Sequence, residues 1–479
     1  MLEKWFHLTE NNTTVRKEIV AGFTTFLTMM YILFVNSRVL SEVGMPVQGV
    51  FAATALSAAV CTIIMSLFAN VPVAMAPGMG LNTVFVNTIC LSMGYHWKEA
   101  LAITFLAGVS HIIIMCSPLR KAFVKAFPEY LRVAAATGLG LFIGYVGIKN
   151  AGFLNFTSLA GQYEQLSNGI IISDSSTVPG MVRVFTSTQV IAIIGLFIMI
   201  ALRALEKKTG EQYAALPLGI LIATFIGIPM NITRLDGILA IDTSVIQDFK
   251  QVFLSFFGTP GICSIFANPE KMLCSLLMIL ILDMTNVLDS VGTMIGVGQI
   301  HDARLFDEKE MKRFFGKGAG SKIDRTLIAN SFGSAISPLI GTSTATIFIE
   351  SVTGIISGGR TGLTGLVTGI LFLLCLSLSR LFHIIPSEAV APALILAGNS
   401  MLMQRNRINW KNYEESLPSF LTILFMVLSY SILDGIAVGI LAHVVIQLAI
   451  GKRKEISPFL MLISILYVIL KISENLLIV

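Results

Sequence analysis

Apolar runs of membrane-crossing length recur from one end of this chain to the other, and no other feature limits its fold so strongly. They cover Glu18–Leu40, Val50–Ala69, Leu101–Pro118, Val133–Ala151, Val190–Leu205, Leu216–Met230, Met272–Gln299, Leu363–Arg380, Ala389–Met403 and Leu417–Gly451. A helix needs roughly 20 apolar residues to cross a bilayer, so the chain reads as an all-α polytopic membrane protein. Only 13% of its residues are charged, against about 25% in an average soluble domain. The first run starts near Ile19 behind polar residues, is too long for a signal-peptide core and lacks a small-residue cleavage pattern. It therefore reads as the first span.

The formal net charge is +5, and the placement of that charge matters more than its size. With the amino terminus in the cytoplasm and fourteen spans, most lysines and arginines fall on the inside, including the clusters Arg120–Arg132, Arg304–Arg325 and Lys452–Lys454. That bias follows the positive-inside rule and needs no nucleic-acid partner. Trp5, Trp97 and Trp410 all stand beside span ends, where indole rings anchor at the interface. Five of the six cysteines lie in or beside apolar runs and Cys263 in a loop, with neither a disulfide framework nor metal-ligand spacing. No cofactor is expected.

Two long polar connections, about Asn150–Ser187 and Asn231–Lys271, fall outside, and a charged one, His301–Arg325, falls inside. No stretch has room for a soluble domain, so residues 1–479 read as one transporter domain. Fourteen spans invite a seven-plus-seven repeat, residues 1–230 against 272–451. The likeness of "LPLGILIATFIG" to "GIAVGILAHVVIQ" is too faint to settle the repeat from residues alone. The final apolar run, Pro458–Leu470, suits either an interfacial helix or a short extra crossing.

Two segments differ from ordinary spans. In "VPVAMAPGMGLNTVFVNT" (Val71–Thr88) two prolines and two glycines crowd one short apolar run, and "GTSTATIFIESVTGIISGGRTG" (Gly341–Gly362) sets a carboxylate among threonines and glycines. Broken helices survive at membrane depth only when packed in protein or lining a cavity. Paired interruptions in the two halves are the strongest sequence pointer to a transporter binding site.

Glu350 lies inside the second of these segments, with no lysine or arginine in the neighbouring apolar runs. An ionised residue at the bilayer centre costs about 2.5–3.5 kcal/mol even on lenient scales, which points to a functional role. The eighth span, Leu276–Gly298, carries Asp283, Asn286, Asp289 and Thr293. Spacings of three and four put Asn286, Asp289 and Thr293 on one helix face. Asp283 extends that stripe or else sits near the outer interface. Asn82 follows the broken "PGMG" and either caps a half-helix or reaches the cavity. Asn36, Asn87, His111 and His443 read as interhelical hydrogen-bonding groups.

Carboxylates accept hydrogen bonds from N–H groups, and free backbone N–H groups at half-helix starts donate to carbonyl oxygens. A planar heterocycle with N–H and C=O edges satisfies both. A desolvated carboxylate also binds protons more readily, which can couple the passage of a solute to the proton gradient.

"TTVRKEIVAGFTTFLTMMYILFVN", "APGMGLN", "LDSVGTMIGV", "GTSTATIFIES", "GGRTGLT", "APALILAG" and "YSILDGIA" stand in that order along nearly the whole chain. In these motifs the sequence resembles the hypoxanthine, guanine and adenine permeases of the nucleobase–cation symporter family. The resemblance implies the uracil-permease fold: fourteen transmembrane segments in two inverted repeats, a core domain of spans 1–4 and 8–11, and a gate domain of spans 5–7 and 12–14. It implies that spans 3 and 10 are half strand and half helix, meeting at the substrate. It carries substrate-binding roles onto Asp289, Glu350 and Asn82, and a position tied to coupling onto Thr293. A threonine cannot titrate, so Glu350 or Asp289 would carry the proton. Asn286 stands where the purine branch usually has an acidic residue, and "VNSRVL" where a proline is common. We accordingly expect a proton-coupled importer of purine nucleobases in the cell membrane, with both termini cytoplasmic. Family members often form homodimers. An anion or other small-solute carrier of the same fold is the alternative, although two buried acids would repel an anion unless protonated. The sequence has no metal-ligand cluster, Ser/His/Asp constellation or phosphate-cradling loop to suggest an enzyme.

Overall fold

The structure is a computed structural model. It describes residues 2–117, 128–157, 163–165, 171–173, 178–181, 186–209, 215–230, 232–233, 244–266, 269–298, 321–348, 350–378, 386–402, 408–429, 432–453, 456–458, 460–465 and 467–468.

After a short surface helix α1 (Leu2–Phe6), the first apolar run folds as α2 (Val15–Met29) and α3 (Tyr31–Ser41), which abut at Met30. Next come α4 (Val47–Ala69), β1 (Met75–Pro77), α5 (Met79–Thr83) running on as a π-helix to Ser92, α6 (Trp97–Cys116) and α7 (Glu129–Asn150). Strands β2 (Leu154–Thr157) with β5 (Val178–Met181), and β3 (Tyr163–Gln165) with β4 (Ile171–Ser173), form two small ladders before α8 (Ser187–Thr209). There follow α9 (Ala215–Gly227), the amphipathic α10 (Ser244–Val252), α11 (Pro269–Gly298), α12 (Lys322–Ile340), β6 (Ala345–Ile347) and α13 (Ser351–Ile356). The chain then continues as α14 (Gly362–Cys375), α15 (Ser387–Met401), α16 (Tyr413–Leu428) and α17 (Ile432–Ile450). Among the described residues five helices are long and apolar enough to cross a membrane, Val15–Ser41 being the longest. The result is a mostly helical, membrane-type fold around one large buried apolar cluster that includes Met29, Tyr31, Phe85, Phe142 and Phe372.

Local chemistry sets several helix ends. Reciprocal capping boxes start α6 (His96 with Glu99) and α12 (Ser321 with Asp324). Gly341 ends α12 at a φ of 104°, a conformation that a side chain would strain. One cap spans the fold: the buried Glu18 of α2 accepts from the backbone N–H groups of Arg360, Thr361 and Thr364 and from the Thr364 hydroxyl at 2.6 Å. A carboxylate thus holds the exposed donors at the start of α14, where it also complements the helix dipole. Arg360 in turn donates to the carbonyls of Ile355 and Gly359 at the end of α13. α13 approaches α2 closely, because a Cβ on Gly354 would meet Thr25 Oγ1 at 2.0 Å.

β1 and β6 pair antiparallel, Met75 opposite Ile347, Ala76 opposite Thr346 and Pro77 opposite Ala345. Proline has no N–H to give and sits at the ladder's end. A two-stranded sheet has open edges, and buried edges need partners. Side-chain hydroxyls supply them. Thr62 of α4 both accepts from Met75 N–H and donates to its carbonyl at 2.9 Å. Ser351 accepts from Ala74 N–H at 3.0 Å, and Ser334 of α12 donates to the Ala345 carbonyl at 3.1 Å.

Candidate functional site

The crossed strands organise the site. β1 leads through Gly78 into α5, which carries Asn82, while β6 leads to Glu350 at the start of α13. α3 packs against β1 and α5, and α11 packs against β6 and α5. Elements distant in sequence therefore meet around the strand pair, with Asn82 beyond its Pro77–Ala345 end and Glu350 beyond its Met75–Ile347 end.

Glu350 is half-buried, and its Oε1 accepts a hydrogen bond from the Tyr31 phenol at 2.8 Å. Its side chain makes no cap bond to α13. Tyr31 is fully buried on α3. Sequence reasoning missed Tyr31, because a tyrosine in "MMYILF" reads as one more apolar residue.

Asn82 is buried, and its Oδ1 accepts from the Ser343 hydroxyl. Among the described residues its Nδ2 has no partner. Ser343 therefore uses up the acceptor side of the amide and leaves the donor side free. The Ser343 carbonyl in turn accepts from Ser337 at 2.5 Å, fixing that residue to α12.

Asn286 is committed elsewhere. Its Nδ2 donates to Ser334 at 2.6 Å, and its Oδ1 accepts from Asn330 at 3.1 Å and Ser290 at 3.2 Å. It pins α11 to α12, and through Ser334 it is linked to β6. Thr293 is buried further along α11. Asp289 belongs to α11, but its side chain lies outside the described residues. Asp283 is buried and faces His111 of α6. Asn36 behaves as expected of an interhelical group, donating to Thr54 at 2.6 Å and Thr342 at 2.8 Å.

A cavity of about 280 Å³ lies along the same face of α3, lined by Val35, Arg38 and Glu42 with Asn150 of α7 and Leu394 of α15. Tyr31, Val35, Arg38 and Glu42 recur at spacings of three and four, so the cavity and the Glu350 contact share one stripe over about 16 Å of helix. Burial raises the Glu42 carboxyl above its usual range, an effect that Lys149 and Asn150 oppose.

The Xan_ur_permease model of the Permease family matches residues 16–438. The chain belongs to this permease family. The permease is 34% identical to "Adenine permease AdeP" of Escherichia coli K12 over 98% of its own length and 95% of the relative's. It is 32% identical to "Guanine/hypoxanthine permease PbuO" of Bacillus subtilis 168, over 97% and 99%. Among solved structures it is similar to the transmembrane domain of the cyanobacterial bicarbonate transporter BicA, with a TM-score of 0.60 and 17% identity over 88% of this permease and 97% of that chain. SLC26A9 gives a TM-score of 0.61 at 11% identity, over 90% and 65%. At these identities the structural likeness speaks for the fold alone. As a member of a permease family the protein is a transporter and not an enzyme.

Proposed function

We propose that this permease imports purine nucleobases by proton symport. The observation that carries the reading is a crossed pair of strands flanked at one end by a half-buried carboxylate, Glu350, and at the other by an amide, Asn82, whose donor has no partner among the described residues. Glu350 accepts from an N–H edge of the base, and Asn82 Nδ2 donates to a ring nitrogen or carbonyl oxygen. Asp289 supplies a second acceptor, Asn286 positions the strand from behind, and Thr293 packs the far end of the stripe. Relatives named as adenine and guanine/hypoxanthine permeases support the choice of a purine. Glu350 and Asp289 are the residues in this site that carry the coupled proton.

In this reading the chain has fourteen spans in two inverted repeats, residues 1–230 and 272–451, and β1–α5 and β6–α13 are the broken third and tenth spans. Spans 1–4 and 8–11 form the core, and the remainder forms the gate. The cavity beside Val35 and Arg38 then lies between core and gate, on the way from outside to Glu350. The protein sits in the cell membrane with both termini cytoplasmic, and assembly as a homodimer is part of the same proposal, tested by cross-linking in membranes. A carrier of anions on the same fold is disfavoured by Glu350, which repels an anion wherever it is ionised.

The test is uptake of radiolabelled adenine, guanine and hypoxanthine into cells lacking their own purine permeases, with and without a protonophore. Accumulation of at least one base that the protonophore and Glu350→Gln both abolish, at normal expression, is the expected result. Normal uptake by Glu350→Gln would remove Glu350 from the site.

A further inference from the structure

Asp283 and His111 form a second buried titratable group that the substrate site does not use. They face one another across α11 and α6 at 3.7 Å, carboxylate oxygen to Nδ1, each side chain 1% exposed. About three turns away on the same two helices, Lys271 meets Glu99 at 3.3 Å, and the same offset of 172 residues joins both pairs. α6 and α11 therefore run parallel in register, with one ion pair at the outer end and the Asp283–His111 pair about 18 Å deeper.

The two pairs differ in kind. Glu99 is also bonded to Ser264 and to the His96 N–H. Among the described residues neither oxygen of Asp283 and neither ring nitrogen of His111 has a partner at full hydrogen-bond geometry, and the Ser110 hydroxyl also stands close to the carboxylate. A structural charge pair closes to about 2.7–2.9 Å and is backed by further bonds. This one is held apart, and among the described residues none of its four polar atoms is backed in that way.

The surroundings supply no compensating charge. On α6 and α11 the other described charged side chains are Lys98, Glu99 and Lys271, all at the outer end. On α12 they are Lys322, Asp324 and Arg325 at the inner end, and on α7 Glu129, Arg132 and Lys149 near its ends. β6, α5 and the turn Ser255–Phe257 carry none. The Asp289 side chain lies outside the described residues.

In such a setting the proton count of the pair is sharply constrained. With one proton the pair is neutral overall, either as carboxylic acid with imidazole or as carboxylate with imidazolium. With none, a bare carboxylate stays buried, and with two, a bare imidazolium, either of which costs several kcal/mol without compensation. We propose that Asp283 and His111 together form a proton-binding site, separate from Glu350 and Asp289, that loads one proton from the outer solution and releases it to the inside in each transport cycle. A contiguous route links it to the substrate strand: one turn along α11 Asn286 holds Ser334, and Ser334 holds the Ala345 carbonyl of β6. This proposal rests on the symport reading above.

The experiment uses the full-length permease in proteoliposomes. Infrared titration reads the carbonyl stretch of protonated carboxyl groups, with 13C-labelled aspartate separating Asp283 and Asp289 from Glu350. A trapped pH-sensitive dye and radiolabelled adenine read protons per purine. We expect an aspartic-acid band that vanishes in Asp283→Asn, shifts in His111→Gln and gives way to an unlabelled carboxylic-acid band in Asp283→Glu, with one proton fewer per purine in the first two variants and an altered pH profile of the adenine KM. If the labelled wild type shows neither a protonated-aspartate band that depends on Asp283 nor an imidazolium signal that depends on His111 at any pH, the proposal is overturned, whether or not the variants insert. It is equally overturned if the band, the proton count and the pH profile are the same in wild type, Asp283→Asn and His111→Gln. If wild type moves adenine without protons, the symport reading fails and this proposal falls with it; if protons move with adenine but their number is unchanged in Asp283→Asn and His111→Gln, this proposal alone falls.

Discussion

Tyr31 donates its phenolic hydrogen to Glu350 at 2.8 Å, joining the start of α3 to the tip of β6 in the other half of the chain. The bond orients one carboxylate oxygen. Hydrogen bonds to charged groups contribute about 1.5–3 kcal/mol. Tyr31→Phe, which keeps the buried ring, should therefore lower purine transport kcat/KM by roughly 10- to 100-fold while leaving protein levels and thermal stability nearly unchanged. Concentration-dependent uptake by the variant is the check, and full activity would mean that the carboxylate is oriented by something else.

Ser343 bears on Asn82 in the same way. Its hydroxyl occupies Asn82 Oδ1 and so keeps Nδ2 free. Ser343→Ala lets the amide rotate, and we expect a three- to tenfold rise in KM for the preferred base, on the order of 1 kcal/mol for one neutral hydrogen bond. Asn82→Asp, which replaces the free donor by an acceptor, should cost far more. Equilibrium binding to purified protein distinguishes the two.

Glu18 is a stability residue by this structure. Glu18→Ala leaves three backbone donors at the start of α14 without their partner. Each buried donor left unsatisfied costs about 1–3 kcal/mol, so a loss of at least about 2 kcal/mol is expected. Glu18→Gln, which keeps one acceptor, should recover part of it. Thermal unfolding in detergent reads both, and an unchanged midpoint for Glu18→Ala would contradict the cap.

Gly341 closes α12 in the left-handed region, and a Cβ there would meet the Val252 carbonyl at 2.5 Å. Gly341→Ala should destabilise the fold by roughly 1–3 kcal/mol and disturb β6, which begins four residues later. The expected signature is a lowered unfolding midpoint together with weaker purine binding. Gly44 also has positive φ but nothing near its Cβ position, and Gly44→Ala is the control that feels the backbone strain alone.

Glu350 was legible in the sequence because a carboxylate in an apolar run is costly wherever it points. Tyr31 was not, since only its partner separates it from the apolar residues around it. Glu18 looked like the polar edge of the first span, and its role as a cap depends on donors that the chain supplies in its other half. Asn286 was read as a member of the binding stripe from helical spacing, which says which face a residue occupies and nothing about the helix opposite. Its three hydrogen bonds go to α11 and α12 neighbours. Asp283 was read as an extension of the stripe or a residue of the outer interface and His111 as an interhelical hydrogen-bonding group, and only the parallel register of α6 and α11 makes them a pair. The serines and threonines around β6 gave no hint that they serve strand edges, because that need arises only once the helix is broken.

The β1–β6 ladder also bears on how the protein is made. Met75 emerges from the ribosome long before Ile347, and until β6 arrives the edge of β1 that faces it has no hydrogen-bond partner. A chain stopped anywhere before Ala345 can insert its early helices yet has no binding region at all, so ligand protection should appear only when synthesis is nearly complete. The same dependence makes the first half a natural client for whatever shelters unpaired polar backbone in the bilayer during insertion.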